Sequence, residues 1–139
     1  MINTELFEKA EETVNLLKQK GLKIATAESC TGGMVSAFIT SVSGVSEVFE
    51  MGITSYSCRI KHKILNVKNE TLERFGAISE STAKQMADNV REISGADIGV
   101  SVTGAAGPDG SEGHNPGFVF IGLSHKDGTV VKQLNIQPK

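Results

Sequence analysis

Residues 22–39, LKIATAESCTGGMVSAFI, change their periodicity half-way along. Leu22 to Ala27 reads as a short apolar strand, and Met34, Val35, Phe38 and Ile39 then recur as the buried face of a helix. Between them lies a turn of small and polar residues, Glu28-Ser29-Cys30-Thr31-Gly32-Gly33. A strand, a Gly-rich turn and a helix in direct succession form the opening of an α/β unit. The flanks continue the alternation. Upstream, Leu6, Phe7, Ala10, Val14 and Leu17 fall at helical spacing, and Gly21 is the expected C-terminal stop. Downstream, Ser43-Gly44 breaks the second helix and Val48 to Tyr56 predicts a second strand. Ile60, Ile64, Leu65 and Val67 suggest a short helix, and Thr71 to Phe75 a further helical turn. Ser79 is the expected N-cap of a longer helix whose buried stripe is Ala83, Met86, Ala87, Val90 and Ile93, with Gly95 as its stop. Asp97 to Val102 predicts a third strand, running into Thr103-Gly104-Ala105-Ala106-Gly107-Pro108. After the polar loop Asp109 to Pro116, Phe118 to Ser124 and Thr129 to Ile136 form a hairpin around Lys126-Asp127-Gly128. The expectation is one domain over residues 1–139, an α/β three-layer α/β/α sandwich with a mixed, mostly parallel sheet.

Composition narrows the function. The chain has 139 residues, and its 14 Lys+Arg against 16 Asp+Glu give a net charge of −2, which argues against a mainly electrostatic nucleic-acid binder. Six Phe, one Tyr and no Trp argue against a base-stacking platform or an aromatic membrane belt. No apolar run approaches the ~20 residues of a membrane span, and the N-terminus has neither a basic segment nor an apolar one of the secretory kind. Cys30 and Cys58 supply no disulfide framework and no metal-ligand spacing, so the expected compartment is a reducing cytoplasm.

Two strand ends carry Gly-rich turns, at 28–33 and 103–108. Ligands of open α/β sheets sit beyond the carboxyl ends of the strands. Small residues there let a backbone approach a ligand closely, and a helix opening at the first turn favours an anion or oxyanion. For either turn alone, tight chain reversal is the plainer reading. Neither matches the spacing of a phosphate-binding P-loop or a dinucleotide fingerprint. Ser29, just after a strand and just before a helix, occupies the position of a nucleophile elbow, although G-x-S-x-G is absent. A serine hydroxyl needs a base. His114 and His125 sit in a polar loop and a hairpin turn, and His62, between Lys61 and Lys63, reads as part of a solvated charge run, so no Ser-His-Asp triad is legible. A Ser-Lys pair remains open, since a desolvated lysine loses its proton near neutral pH, but spacing alone selects no lysine. Cys30 is a rival nucleophile whose plainer reading is a small buried residue.

These motifs together resemble the CinA C-terminal domain family, the nicotinamide-nucleotide amidases. The resemblance runs through Ala27 to Gly33, Gly52-Ile53-Thr54-Ser55-Tyr56-Ser57, Lys61, Leu65-Asn66-Val67, Gly76-Ala77-Ile78-Ser79-Glu80, Val102 to Pro108 and Pro116 to Leu123. It implies hydrolysis of the carboxamide of nicotinamide mononucleotide to nicotinic acid mononucleotide and ammonia, with no metal and no cofactor. Ser29 maps to the nucleophile, Lys61 to the general base and Tyr56 to a group that orients or relays the proton. Glu28, Cys30, Thr31, Gly32 and Gly33, with Thr103, Gly104, Ala105 and Gly107, are the expected substrate-binding positions. The implied partner is a small-molecule pyridine nucleotide, not a nucleic acid or a membrane. The chain departs from the family's usual pattern at Cys58-Arg59-Ile60 and in the loop 109–115, and it stops at Gln137-Pro138-Lys139, where relatives continue into another helix. An uncovered sheet face or edge there favours a homo-oligomer, most simply a dimer. The competing expectation is a non-catalytic nucleotide-binding or interaction module.

Overall fold

The structure is a computed structural model that describes residues 3–136. The terminal stretch 137–139, on which the expected absence of a final helix turns, lies outside them. The element order is α1 (Thr4–Lys20), β1 (Ile24–Glu28), α2 (Met34–Thr40), β2 (Phe49–Thr54), α3 (Cys58–Leu65), α4 (Asn69–Phe75), α5 (Glu80–Ser94), β3 (Ile98–Gly104), β4 (Phe118–His125) and β5 (Gly128–Asn135). All five strands join one sheet in the order β2-β1-β3-β4-β5. β1 pairs parallel with β2 and β3, and the β3–β4 and β4–β5 pairs are antiparallel. Only β4 therefore runs against the other strands.

β1 is central and buried along its whole length. Its side chains alternate between the two helix layers, as the strand period of two requires. Ile24 packs with Ala10, Val14 and Leu17 of α1 and Ile39 of α2, while Ala25 and Ala27 face Met86 and Val90 of α5 with Leu65 of α3. α5 lies close on the sheet because β4 offers it a glycine. A Cβ on Gly122 would stand 2.6 Å from Ser101 Oγ and 2.8 Å from the Ala83 carbonyl. Ser101 Oγ donates to that same carbonyl at 2.7 Å, tying helix to strand.

The helix caps follow their sequence signals. Asn3 Oδ1 accepts from Leu6 N–H at 3.2 Å, and Gly21 ends α1 with a φ of 66°. Ser79 Oγ caps α5 by accepting from Thr82 N–H at 3.1 Å. Three expected core positions differ: Met34, Ile93 and Leu6 are exposed, each at the margin of its helix's apolar stripe. On the far side, Leu123, Val130 and Ile136 of the β4–β5 hairpin are also exposed.

The topology decides where a site can form. From β1 the chain moves through α2 to β2 on one side. From β2 it crosses back through α3, α4 and α5 to β3 on the other. The carboxyl end of β1 is therefore a switch point, with a crevice between two connections that leave in opposite directions. The register aligns the ends: Glu28 pairs with Thr54 of β2 and Val102 of β3. Ser29, Ser55 and Thr103 consequently leave the sheet side by side.

Candidate active site

Ser29 follows β1 directly, and its N–H is held by the Val102 carbonyl at 2.9 Å. Its partner arrives from α3. Ser57 caps that helix, accepting from Ile60 N–H at 3.2 Å, and Lys61 and Leu65, four residues apart, form its buried face. Lys61 is thus a lysine on the apolar side of a helix, with 0% of its surface exposed. Its Nζ lies 2.9 Å from Ser29 Oγ, 2.8 Å from the Ser55 carbonyl and 3.1 Å from the Tyr56 carbonyl. No ion pair joins it to a carboxylate among the described residues.

Burial without a counter-ion pushes the Lys61 ammonium below the ordinary lysine range, and the weaker opposing pull of Cys58, Glu112 and Cys30 does not reverse it. Nζ can donate to all three oxygens, and in the neutral form favoured by burial two N–H bonds would serve the carbonyls while the lone pair could accept from the Ser29 hydroxyl. A desolvated amine within hydrogen-bond reach of a serine hydroxyl is an arrangement that can activate the serine. Burial raises the Cys30 thiol instead, which keeps it largely protonated at neutral pH.

A cleft of about 220 Å³ opens at these strand ends. Its walls are Ser29, Cys30, Tyr56 and Lys61, the turn Thr103–Gly107, the Ala77-Ile78 segment and, from the following loop, Asp109, Ser111 and Glu112.

The CinA C-terminal domain matches this chain over residues 7–139. The chain belongs to the CinA C-terminal domain family. A CinA-like protein of Kosmotoga olearia is 51% identical over 127 residues, covering 91% of this chain and 31% of its own length. A competence-damage inducible protein of Acetivibrio thermocellus is 47% identical over 137 residues, covering 98% of this chain and 33% of its own. The chain thus spans about a third of the length of these curated relatives. Among solved structures, the competence/damage inducible protein CihA of Agrobacterium tumefaciens superposes with a TM-score of 0.94 at 34% identity, over 99% of this chain and 84% of that one. The competence damage-inducible protein A of Klebsiella pneumoniae gives 0.93 at 30% identity, over 96% and 83%. The likeness to these structures covers the mixed sheet and both helix layers of the CinA domain.

Within this CinA domain the expected site residues divide. Ser29, Cys30, Tyr56, Lys61, Thr103, Gly104, Ala105 and Gly107 come together around the cleft. Tyr56 does so differently from expectation. Its side chain is 70% exposed, and the group that touches Lys61 is its main-chain carbonyl. No hydrogen bond links the Tyr56 hydroxyl to Ser29 or Lys61.

Glu28, Thr31, Gly32 and Gly33 do not line the cleft. Glu28 is 1% exposed and faces the start of α2. Its Oε1 accepts from Thr31 Oγ1 at 2.6 Å, Val35 N–H at 2.9 Å and Gly33 N–H at 3.2 Å. Its Oε2 accepts from Ser36 N–H at 3.0 Å and Ser36 Oγ at 2.9 Å. Burial by itself would raise this carboxyl, but those donors outweigh it and hold Glu28 below the usual range. An internal carboxylate therefore takes the N–H groups that the sequence offered to a substrate anion. Gly32 N–H is also taken, by the Ser29 carbonyl at 3.0 Å. That leaves the N–H groups of Cys30 and Thr31 as the amides of this turn with no oxygen acceptor among the described residues.

Sequence reasoning missed Ala77, Ile78, Asp109, Ser111 and Glu112 as cleft residues. The histidines it set aside do lie elsewhere. His62 Nδ1 is 2.8 Å from the Val67 carbonyl, His114 stacks on Phe118 with ring centroids 4.3 Å apart, and His125 ends β4. Among the described residues no three His, Cys, Asp or Glu side chains gather as a metal site, and no helix is long and apolar enough to cross a membrane.

Proposed function

We propose that this domain is an amidohydrolase that converts nicotinamide mononucleotide to nicotinic acid mononucleotide and ammonia. The observation that carries the reading is the buried, uncompensated Lys61 amine 2.9 Å from Ser29 Oγ. Lys61 takes the Ser29 proton as Oγ attacks the carboxamide carbon. The tetrahedral oxyanion lies near the N–H groups of Cys30 and Thr31. Collapse expels the amine with a proton returned by Lys61, so ammonia leaves and an acyl-serine ester remains. Water, deprotonated by the same amine, attacks the ester carbon and releases the carboxylate and Ser29. Tyr56 holds Nζ by its carbonyl, and its exposed ring stands at the cleft mouth as a surface for the pyridine. The turn Thr103–Gly107, small along its length, lets the nucleotide lie against backbone.

The test is ammonia release from nicotinamide mononucleotide by purified, folded protein. Ser29→Ala should abolish it, and Lys61→Met should lower kcat/KM by roughly 10²–10⁴-fold. Cys30→Ala should retain most of it, which separates serine from thiol chemistry. Binding of the nucleotide without ammonia release would overturn the reading in favour of a non-catalytic module.

A further inference from the structure

The cleft has a second wall that the mechanism above does not use. Glu112, in the exposed loop between β3 and β4, reaches across it. Its Oε2 accepts from Ala77 N–H at 3.0 Å and its Oε1 from Ile78 N–H at 2.9 Å. Two successive peptide N–H groups thus grip two oxygens of one anion.

Those peptides are fixed from behind, independently of Glu112. The Gly76 carbonyl, in the same peptide unit as Ala77 N–H, accepts from Thr82 Oγ1 at 2.7 Å and Ser79 Oγ at 3.3 Å. The Ala77 carbonyl, in the unit that carries Ile78 N–H, accepts from Thr103 Oγ1 at 2.8 Å. Thr82 and Thr103 are 0% and 1% exposed, on α5 and β3. Both N–H groups precede Ser79, the N-cap of α5, so they are not the helix's own free amides. Gly76 completes the cradle: a Cβ there would stand 2.7 Å from Glu112 Oε1, so a side chain at this position would push the carboxylate aside.

The donors are rigid and buried-backed, while their occupant is not. Glu112 is exposed, and its φ of 52° lies in the left-handed region that a non-glycine residue seldom adopts. Two aligned N–H groups suit two phosphate oxygens as well as two carboxylate oxygens. With Glu112 in place the cleft's volume of about 220 Å³ is below the ~300–1,000 Å³ usual for small-molecule sites.

We propose that the Ala77–Ile78 amide pair is the anion subsite of this cleft, that Glu112 is its resident occupant, and that the phosphate monoester of a bound nucleotide takes the site by displacing Glu112. The ligand's identity rests on the amidase reading; the anion subsite does not. Glu112 is then a latch that a substrate carrying a phosphate opens and one without it does not.

The test follows the Ala77 and Ile78 amide resonances of the full chain by NMR during titration with inorganic phosphate, in the wild type, Glu112→Gln and Glu112→Ala. KM is measured in parallel for nicotinamide mononucleotide and for its riboside, which lacks the phosphate. The two amides should shift with phosphate, and Glu112→Ala should bind it more tightly by roughly tenfold, the factor by which a largely closed latch lowers apparent affinity. Glu112→Gln should fall between. KM should drop in Glu112→Ala for the mononucleotide and not for the riboside, whose cationic pyridinium gains nothing from the loss of a carboxylate. Amides that ignore phosphate in all three proteins overturn the proposal, as does an equal KM change for both substrates. If the amides respond but neither nucleotide is hydrolysed, the subsite stands and the amidase reading falls. If ammonia is released while the amides stay silent, the reverse holds.

Discussion

Among the described residues two carboxylates each grip more than one peptide N–H group, and they do opposite things. Glu28 is buried and gathers five donors from the turn after β1 and the first residues of α2. Glu112 is exposed and gathers two, from a segment that other residues already hold in place. Removing Glu28 would leave the part-buried N–H groups of Gly33, Val35 and Ser36 without this acceptor. Removing Glu112 would return two amides to a solvent-reached cleft. The same chemical contact is therefore a structural bond at one strand end and an exchangeable one at the other. Burial and the number of donors decide which.

The largest expected effect breaks the first contact. Glu28→Ala should destabilise the fold by about 3 kcal/mol or more, because hydrogen bonds to a buried charge are worth ~1.5–3 kcal/mol and their loss leaves unpaired donors. Glu112→Ala should cost less than about 1 kcal/mol, within the range of surface substitutions. Urea denaturation of the two variants checks the contrast, and equal losses would refute it. Acid should expose the same difference. The Glu28 carboxyl is held below its ordinary value in the folded state, so its contribution is complete above the unfolded carboxyl's range. That contribution disappears as pH falls through the folded value. Glu28→Gln should remove this part of the acid dependence.

Lys61 sets the intermediate case, a buried charge site with no opposite charge. Its amine titrates below the ordinary lysine range when folded, so between the folded and unfolded pKa values the unfolded chain binds more protons. Stability should then rise with pH through that window, by up to ~1.4 kcal/mol per pH unit, and level off above it. Lys61→Met should flatten the rise. Denaturation midpoints across alkaline pH, wild type against variant, decide it. A wild-type curve parallel to that of the variant would mean that Lys61 is not depressed. With the neutral amine as the base, as proposed, the ascending limb of kcat/KM with pH should fall at the same folded pKa.

Much of this was legible before any coordinates. Strong periodicity located α1 and α5, and Gly21, Ser79 and Gly95 marked the end of the first and both ends of the second. The Gly-rich turns located both strand ends that flank the switch point. The charged run Lys61-His62-Lys63 hid the base from a reading by pattern alone, because lysine on an apolar helix face breaks the rule that defines such a face. Only the resemblance to the family pointed to Lys61. Glu28 was misplaced for a related reason. A carboxylate at a strand end reads as a ligand contact until the helix that it caps is known to fold back over it. Glu112 was invisible, since nothing in the local sequence ties residue 112 to residues 77 and 78. That contact exists only because β3 and α5 carry the two segments to one edge.

Gly76 offers the finest division between the two carboxylates. Its φ is +82°, a region that L residues rarely occupy, and a Cβ there would also press on Glu112. Backbone strain alone should make Gly76→Ala destabilising by ~1–2 kcal/mol. The clash adds a second cost, which ends when Glu112 leaves the amides. In a double-mutant cycle, Gly76→Ala should therefore cost less in the Glu112→Ala background, with a coupling of about 0.5 kcal/mol or more. The same substitution should be indifferent to Glu28, which serves different amides at the start of α2. Additive effects in the Glu112 cycle would mean that the carboxylate spends little time on the Ala77 and Ile78 amides, and the latch would lose its physical basis. Coupling there, with none to Glu28, would mark Glu112 as the carboxylate whose place on its amides depends on the room that Gly76 leaves.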